Sequence, residues 1–160
     1  MSSGKLLNFM ASNKNKILVT GACGIFGSTL ALYLSEKGYE VEGLDLPNTA
    51  PPIELNGIKI HHTDITDLDV LKSLIQNYCC IIHLAAISRV ALARKTPLKA
   101  VYANITSTAT ILEAIRLSDN KPPMIFASSI EVNVDERGAY GLTNLYGMTK
   151  SVGELLAQRY

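Results

Sequence analysis

Tyr146 and Lys150 stand four residues apart in "LYGMTKSVGELLAQRY", the last stretch of a 160-residue chain. Positions i and i+4 share one face of a helix, so both side chains reach a single cleft. A phenol with an ordinary pKa of about 10 is a poor base at neutral pH, and a neighbouring ammonium favours its phenolate. Such a pair can take a proton from a hydroxyl while hydride leaves the same carbon, and return it in the reverse direction. Taken alone, the spacing also describes two ordinary residues on a terminal helix. Ser128 and Ser129 close the apolar run "PMIFASS" upstream, where Ser129 is placed to hydrogen-bond and orient a substrate oxygen.

A second constellation precedes this one. "VTGACGIFGS" sets Gly21, Gly24 and Gly27 between an apolar run and a helix-like segment, with Ile25 and Phe26 between the last two glycines. A dinucleotide pyrophosphate needs a tight turn, a backbone close enough to touch, and free N–H groups at a helix start. The spacing is GxxGxxG rather than the commoner GxGxxG, and the competing reading is a packing turn. Asp45 follows about 20 residues on, where an acid accepts hydrogen bonds from the adenosine ribose; a solvated strand-end Asp is the alternative. No Arg lies nearby in sequence to receive a 2′-phosphate, which favours NAD over NADP. Asp64 has two readings, an acceptor for the adenine amino group or a turn-forming Asp. Ile65 beside it would pack on the adenine ring.

These residues need a frame that brings them together, and the chain supplies an alternating one. "KILVT", "EVEGLDL", "IKIHHTD", "CCIIHLAA" and "PMIFASS" read as five strands. "STLALYLSEKG", "DLDVLKSLIQN", "PLKAVYANITSTATILEAIRL" and "LYGMTKSVGELLAQRY" read as helices, the third carrying Pro97 in its first turn. Alternation of this kind predicts an α/β fold, a doubly wound parallel sheet of Rossmann type with strand order 3-2-1-4-5. Ligands in such sheets bind beyond the carboxyl ends of the strands, and each residue singled out above falls at such an end.

Composition removes other classes. With 48% hydrophobic residues and a formal net charge of +1, the chain fits one globular domain. It has no electrostatic footprint for nucleic acid and no apolar run of bilayer-spanning length. Residues 1–15 read as a polar, flexible leader and 16–160 as the cofactor domain. Cys23, Cys79 and Cys80 have neither disulfide-framework nor zinc spacing, so reduced thiols in a cytoplasmic protein, with no metal site, are expected.

From about Lys16 onward the chain resembles the extended branch of the short-chain dehydrogenase/reductase superfamily, the NAD-dependent epimerase/dehydratase-like enzymes. The resemblance rests on "TGACGIFGS", Asp45, "HLAA" (His83 to Ala86), Asn104, "FASSIEV" and "YGMTK". It implies NAD lying over the sheet, with Ser129, Tyr146 and Lys150 catalytic. It implies further that Lys150 holds the nicotinamide ribose, that Ala85 and Ala86 line the cofactor, that Asn104 supports the site from its helix, and that His83 is structural. Glu131 stands where similar sugar-nucleotide dehydratases carry a catalytic Glu; an exposed loop acid is the other reading. The implied substrate is a secondary hydroxyl of a nucleotide sugar, handled by a homodimer of the full-length protein. A dehydrogenase of a small hydroxy or amino acid, and a non-catalytic dinucleotide-binding fragment, are the alternatives.

The chain departs from that pattern in three ways. "VNV" (Val132 to Val134) replaces the family's usual "VYG", the stretch from Ser129 to Tyr146 is short, and the chain stops where similar proteins continue. The expectation is therefore the N-terminal part of a longer enzyme, truncated before its last strands and substrate domain, with "PMIFASS" as an apolar sheet edge.

Overall fold

The computed structural model describes residues 15–134, 140–141 and 144–160; the proposed leader therefore lies outside the described residues, apart from Asn15. Five parallel strands form one sheet: β1 (Lys16–Thr20), β2 (Glu40–Asp45), β3 (Lys59–His62), β4 (Cys80–His83) and β5 (Met124–Phe126). Their order is β3-β2-β1-β4-β5, as the alternation requires. β1 pairs with β2 on one side and β4 on the other, setting Thr20 beside Leu44 and His83 at the carboxyl end.

The pleat sorts apolar side chains to two faces. Ile17, Val19, Val41 and Ile82 pack with Ala31 of helix α1 (Ile25–Glu36). Leu18, Leu44 and Ile81 pack on the other face with Leu71 and Ile75 of α2 (Leu68–Ile75) and Ile111 of α5 (Ser107–Leu117). The sheet is thus buried on both sides by helices, in keeping with the nearly continuous apolar run of its central strands β1 and β4. Asp67 caps α2 by accepting from the Val70 N–H at 3.1 Å. β5 stands at the sheet edge with Ile125 exposed. No helix among the described residues is long and apolar enough to cross a membrane.

The long helix expected after β4 is present over Pro97–Leu117, with a π-turn inside it and an unexpected short helix before it. A short α3 (Val90–Lys95) comes first, then α4 (Pro97–Val101), one π-helical turn (Tyr102–Thr106) and α5. π-turns inside helices commonly mark functional sites. Beyond β5, two short strands, β6 (Asn133–Val134) and β7 (Tyr140–Gly141), pair antiparallel before α6 (Leu145–Arg159).

At the amino ends of the strands, charged side chains neutralise one another. Lys16 Nζ lies 3.0 Å from Glu40 and 2.8 Å from Glu42. The other oxygen of Glu42 meets His61 Nε2 at 2.6 Å and the Tyr78 hydroxyl at 2.5 Å. Although the carboxylate's own burial pushes the other way, its bonds to His61, Lys16 and Tyr78 bring its pKa down to about 2.

Candidate active site

The opposite, carboxyl end of the sheet is open. A cavity of about 1530 Å³ runs over it, larger than the roughly 300–1,000 Å³ usual for a small ligand. The glycine turn forms its floor. Gly21 has φ of 70°, and its N–H donates to Leu44 O at 2.8 Å, tying the turn to the end of β2. A Cβ at Gly27 would lie 2.0 Å from Gly21 O, so only glycine lets α1 start this close to the strand. No side chain caps α1, whose N-terminus opens at Gly24 beside the exposed Ile25 and Phe26. A bare helix start and a tight glycine turn are what a pyrophosphate requires, so these residues fit the dinucleotide expected from the sequence.

Asp45 lines the same cavity, with its carboxylate held by the backbone: Oδ2 accepts from Cys23 N at 2.7 Å and Oδ1 from Leu46 N at 2.8 Å. Asp64 is a turn-forming residue that also lines the cavity. Its Oδ1 closes a turn through Thr66 N at 2.9 Å and Thr66 Oγ1 at 2.8 Å, and the residue faces the cavity together with the buried Ile65. Ala85 and Ala86 line the same cavity.

Helix α6 brings Tyr146 and Lys150 to this cavity. Tyr146 is buried against Ala93 of α3 and Ala100 of α4, a packing the sequence did not suggest because α3 was not expected. Lys150 Nζ donates to Ala127 O at 2.7 Å and sits 4.8 Å above the Phe126 ring. Burial lowers its pKa to about 8. Ser128 faces the cavity and bonds Glu154 through its hydroxyl. The Oγ of Ser129 accepts from the backbone N–H of Glu131 at 3.2 Å, and neither Ser129 nor Glu131 belongs to the cavity lining.

Two buried polar residues hold these parts in register. His83 Nε2 donates to Thr108 Oγ1 at 3.1 Å, since that hydroxyl's own proton goes to Asn104 O at 2.7 Å. Nδ1 therefore accepts from Thr20 Oγ1 at 2.8 Å, which in turn accepts from Ala85 N at 3.2 Å. Desolvation, with a smaller push from Lys150, takes the imidazole down to about 3, so it is a neutral structural group. Asn104 lies in the π-turn, also buried. Its Oδ1 accepts from Ile87 N at 2.8 Å, while Nδ2 donates to Ile87 O at 3.2 Å and Thr149 Oγ1 at 2.8 Å. It clamps the loop after Ala86 to the helix carrying Tyr146, and acts through these neighbours rather than on the cavity itself.

Arg89, Lys99 and Tyr102 also line the cavity and carried no signal in the sequence. Lys99 and Tyr102 are one turn apart, which explains their shared face, but the position of that face depends on α3 and the π-turn.

Comparison with known proteins points the same way. Among curated proteins, UDP-glucuronate 4-epimerase 2 of Arabidopsis thaliana is 30% identical, the match covering 92% of this chain and 39% of that protein. UDP-glucose 4-epimerase of Halalkalibacterium halodurans is 31% identical, over 84% of this chain and 42% of its own. The crystal structure of UDP-glucose 4-epimerase from Brucella ovis in complex with NAD has the same fold, with a TM-score of 0.81 at 28% identity, covering 91% of this chain and 47% of that one. The chain therefore spans less than half the length of each of these proteins. Residues 17–160 match the NAD dependent epimerase/dehydratase family, and on that match, with the glycine turn, Asp45 and the Tyr146–Lys150 helix in place, the chain belongs to that family.

Proposed function

We propose that the protein binds NAD over the carboxyl ends of its strands and works on a secondary hydroxyl of a nucleotide sugar, as an epimerase. One observation carries the reading: Tyr146 and Lys150, on one face of α6, line the same cavity as the glycine turn and Asp45. Bound NAD supplies a hydride acceptor that can give the hydride back. The residues of the chain do the rest. Gly21, Gly24 and Gly27 with the start of α1 hold the pyrophosphate, and Asp45 the adenosine ribose. Asp64 and Ile65 border the adenine. Lys150 holds the nicotinamide ribose, and its ammonium favours negative charge in the cavity it shares with Tyr146. Tyr146 takes the hydroxyl proton and returns it. Ser128 or Ser129 orients the substrate oxygen; Ser128 already faces the cavity, and Ser129 lies one residue beyond it.

The relatives' names support a UDP-sugar as substrate, since those compared above are named for UDP-glucuronate or UDP-glucose. A homodimeric assembly and a cytoplasmic location complete the proposal. The test is to incubate the protein with NAD and UDP-glucose or UDP-glucuronate, follow the sugar's C4 configuration by NMR, and monitor NADH absorbance. The expected result is interconversion without net NADH, abolished by Tyr146→Phe, with NAD affinity in that variant within a few fold of wild type. Steady NADH accumulation would make the protein a dehydrogenase instead, and NAD binding without turnover of either sugar would make it a binding module.

A further inference from the structure

Glu131 is the acid whose place in the sequence suggested a base, yet its surroundings describe a different task. Its Oε2 accepts from Asn144 Nδ2 at 2.7 Å, and Asn144 Oδ1 accepts from Gly147 N at 2.8 Å, capping α6. The two bonds are linked. A carboxylate only accepts, so it fixes the amide of Asn144 with the NH₂ toward itself and the oxygen toward the helix. The backbone joins in as well. Glu131 N donates to Ser129 Oγ at 3.2 Å, and Glu131 O rests where a Cβ on Gly147 would stand, 2.4 Å from that position. Glu131, Asn144 and Gly147 thus form one closed junction around the first turn of α6, and Tyr146 lies inside that turn. A negative charge there also complements the helix dipole. Glu131 itself does not line the cavity that Tyr146 and Lys150 share.

We infer that Glu131 is a positioning residue, setting the first turn of α6 and so Tyr146 through the Asn144 cap, and not the group that removes a proton from substrate carbon. This rests on the proton-carrying role given to Tyr146 above. What position 131 then requires is an acceptor for Asn144 rather than a base, which suits an epimerase, whose reaction includes no elimination.

Three variants test this in the NAD-loaded protein: Glu131→Gln, Glu131→Ala and Asn144→Ser. Glutamine keeps an acceptor but is no base. Serine caps a helix on its own but is too short to reach Glu131. Two readouts are taken, hydrogen exchange of the Gly147 amide by NMR and turnover of the UDP-sugar. Glu131→Gln is expected to stay within about threefold of wild type in both. Glu131→Ala is expected to speed Gly147 exchange about tenfold and to lower kcat with little change in KM. Asn144→Ser, whose hydroxyl still accepts from Gly147 N but is untethered from Glu131, is expected to keep exchange near wild type and to lower kcat to a similar extent, the double variant having a kcat no lower than either single. Unchanged Gly147 exchange in Glu131→Ala would overturn the inference. So would a Glu131→Gln variant as inactive as Glu131→Ala while Asn144→Ser turns over normally. Should the wild-type protein convert neither sugar, the proposed function fails, and Gly147 exchange alone still decides the role of Glu131.

Discussion

The two ends of the sheet use the same kinds of residue in opposite ways. At the amino end, Lys16, Glu40, Glu42, His61 and Tyr78 bond one another side chain to side chain. At the carboxyl end, Asp45 is held by Cys23 N and Leu46 N, Lys150 by Ala127 O, and Asp64 by the N–H and the neutral hydroxyl of Thr66. Among the described residues none of these three joins an ion pair. Pairing cancels charge, whereas a backbone bond fixes a charged group without cancelling it. The first arrangement braces the strands; the second leaves oriented charge for a ligand to meet.

If the ends differ in this way, damage to one should leave the other's function alone. The largest effect is expected from Gly27→Ala at the carboxyl end. The new Cβ would meet the Gly21 carbonyl, a backbone atom that can move only by opening the turn. NAD affinity should fall by more than about 100-fold and stability by about 1–3 kcal/mol, read by calorimetry and thermal unfolding. Tyr78→Phe at the amino end should do the reverse. It removes a hydroxyl that donates to the Glu42 carboxylate, costing about 1.5–3 kcal/mol, with NAD affinity unchanged. Equal loss of binding in the two variants would dissolve the distinction.

Acid should weaken the fold from both ends, in overlapping windows. The folded pKa of His83, about 3, lies below its ordinary 6.5, so the unfolded chain takes up a proton that the folded chain refuses. That contribution to stability is complete above about pH 6.5 and is lost toward pH 3. Glu42, at about 2 against 4.5, loses its contribution between those two values. Glu42→Gln should make the loss below about pH 4.5 shallower and leave the loss between pH 6.5 and 4.5 unchanged. On the alkaline side Lys150, at about 8 against 10.5, gives up its proton earlier when folded, so stability should rise between those values. Lys150→Met should remove that rise. Urea titrations across pH would show each window. The smallest effect is expected from Asp45→Asn, which removes the charge and keeps only one of the two backbone bonds, since an amide has a single acceptor oxygen. Its preference for NAD over NADP should shrink by about tenfold, or about 1.4 kcal/mol.

What the sequence disclosed and what it hid follow from how far apart the partners lie. The strands, the glycine turn and Asp45 are local patterns, and the sheet order and both helix faces agree with them. The helix expected over Pro97–Leu117 is continuous but contains a π-turn, in which Asn104 bonds Ile87 and Thr149. No window of neighbouring residues records those partners. Helix α3 is six residues long and has no capping side chain, so it left no periodic trace. The Glu42 network joins four strand regions, and Glu131 meets Asn144 only because the chain folds back between them. Distant contacts decided which of two serines faces the cavity.

The central claim is that the carboxyl end of this sheet is an NAD site that contains Tyr146 and Lys150. Calorimetric titration of the protein with NAD, and separately with NADP, tests it most directly. Saturable one-to-one binding of NAD is expected, with NADP at least tenfold weaker and Lys150→Met weakening NAD severalfold. Absence of saturable NAD binding, or equal affinity for NADP, would contradict it.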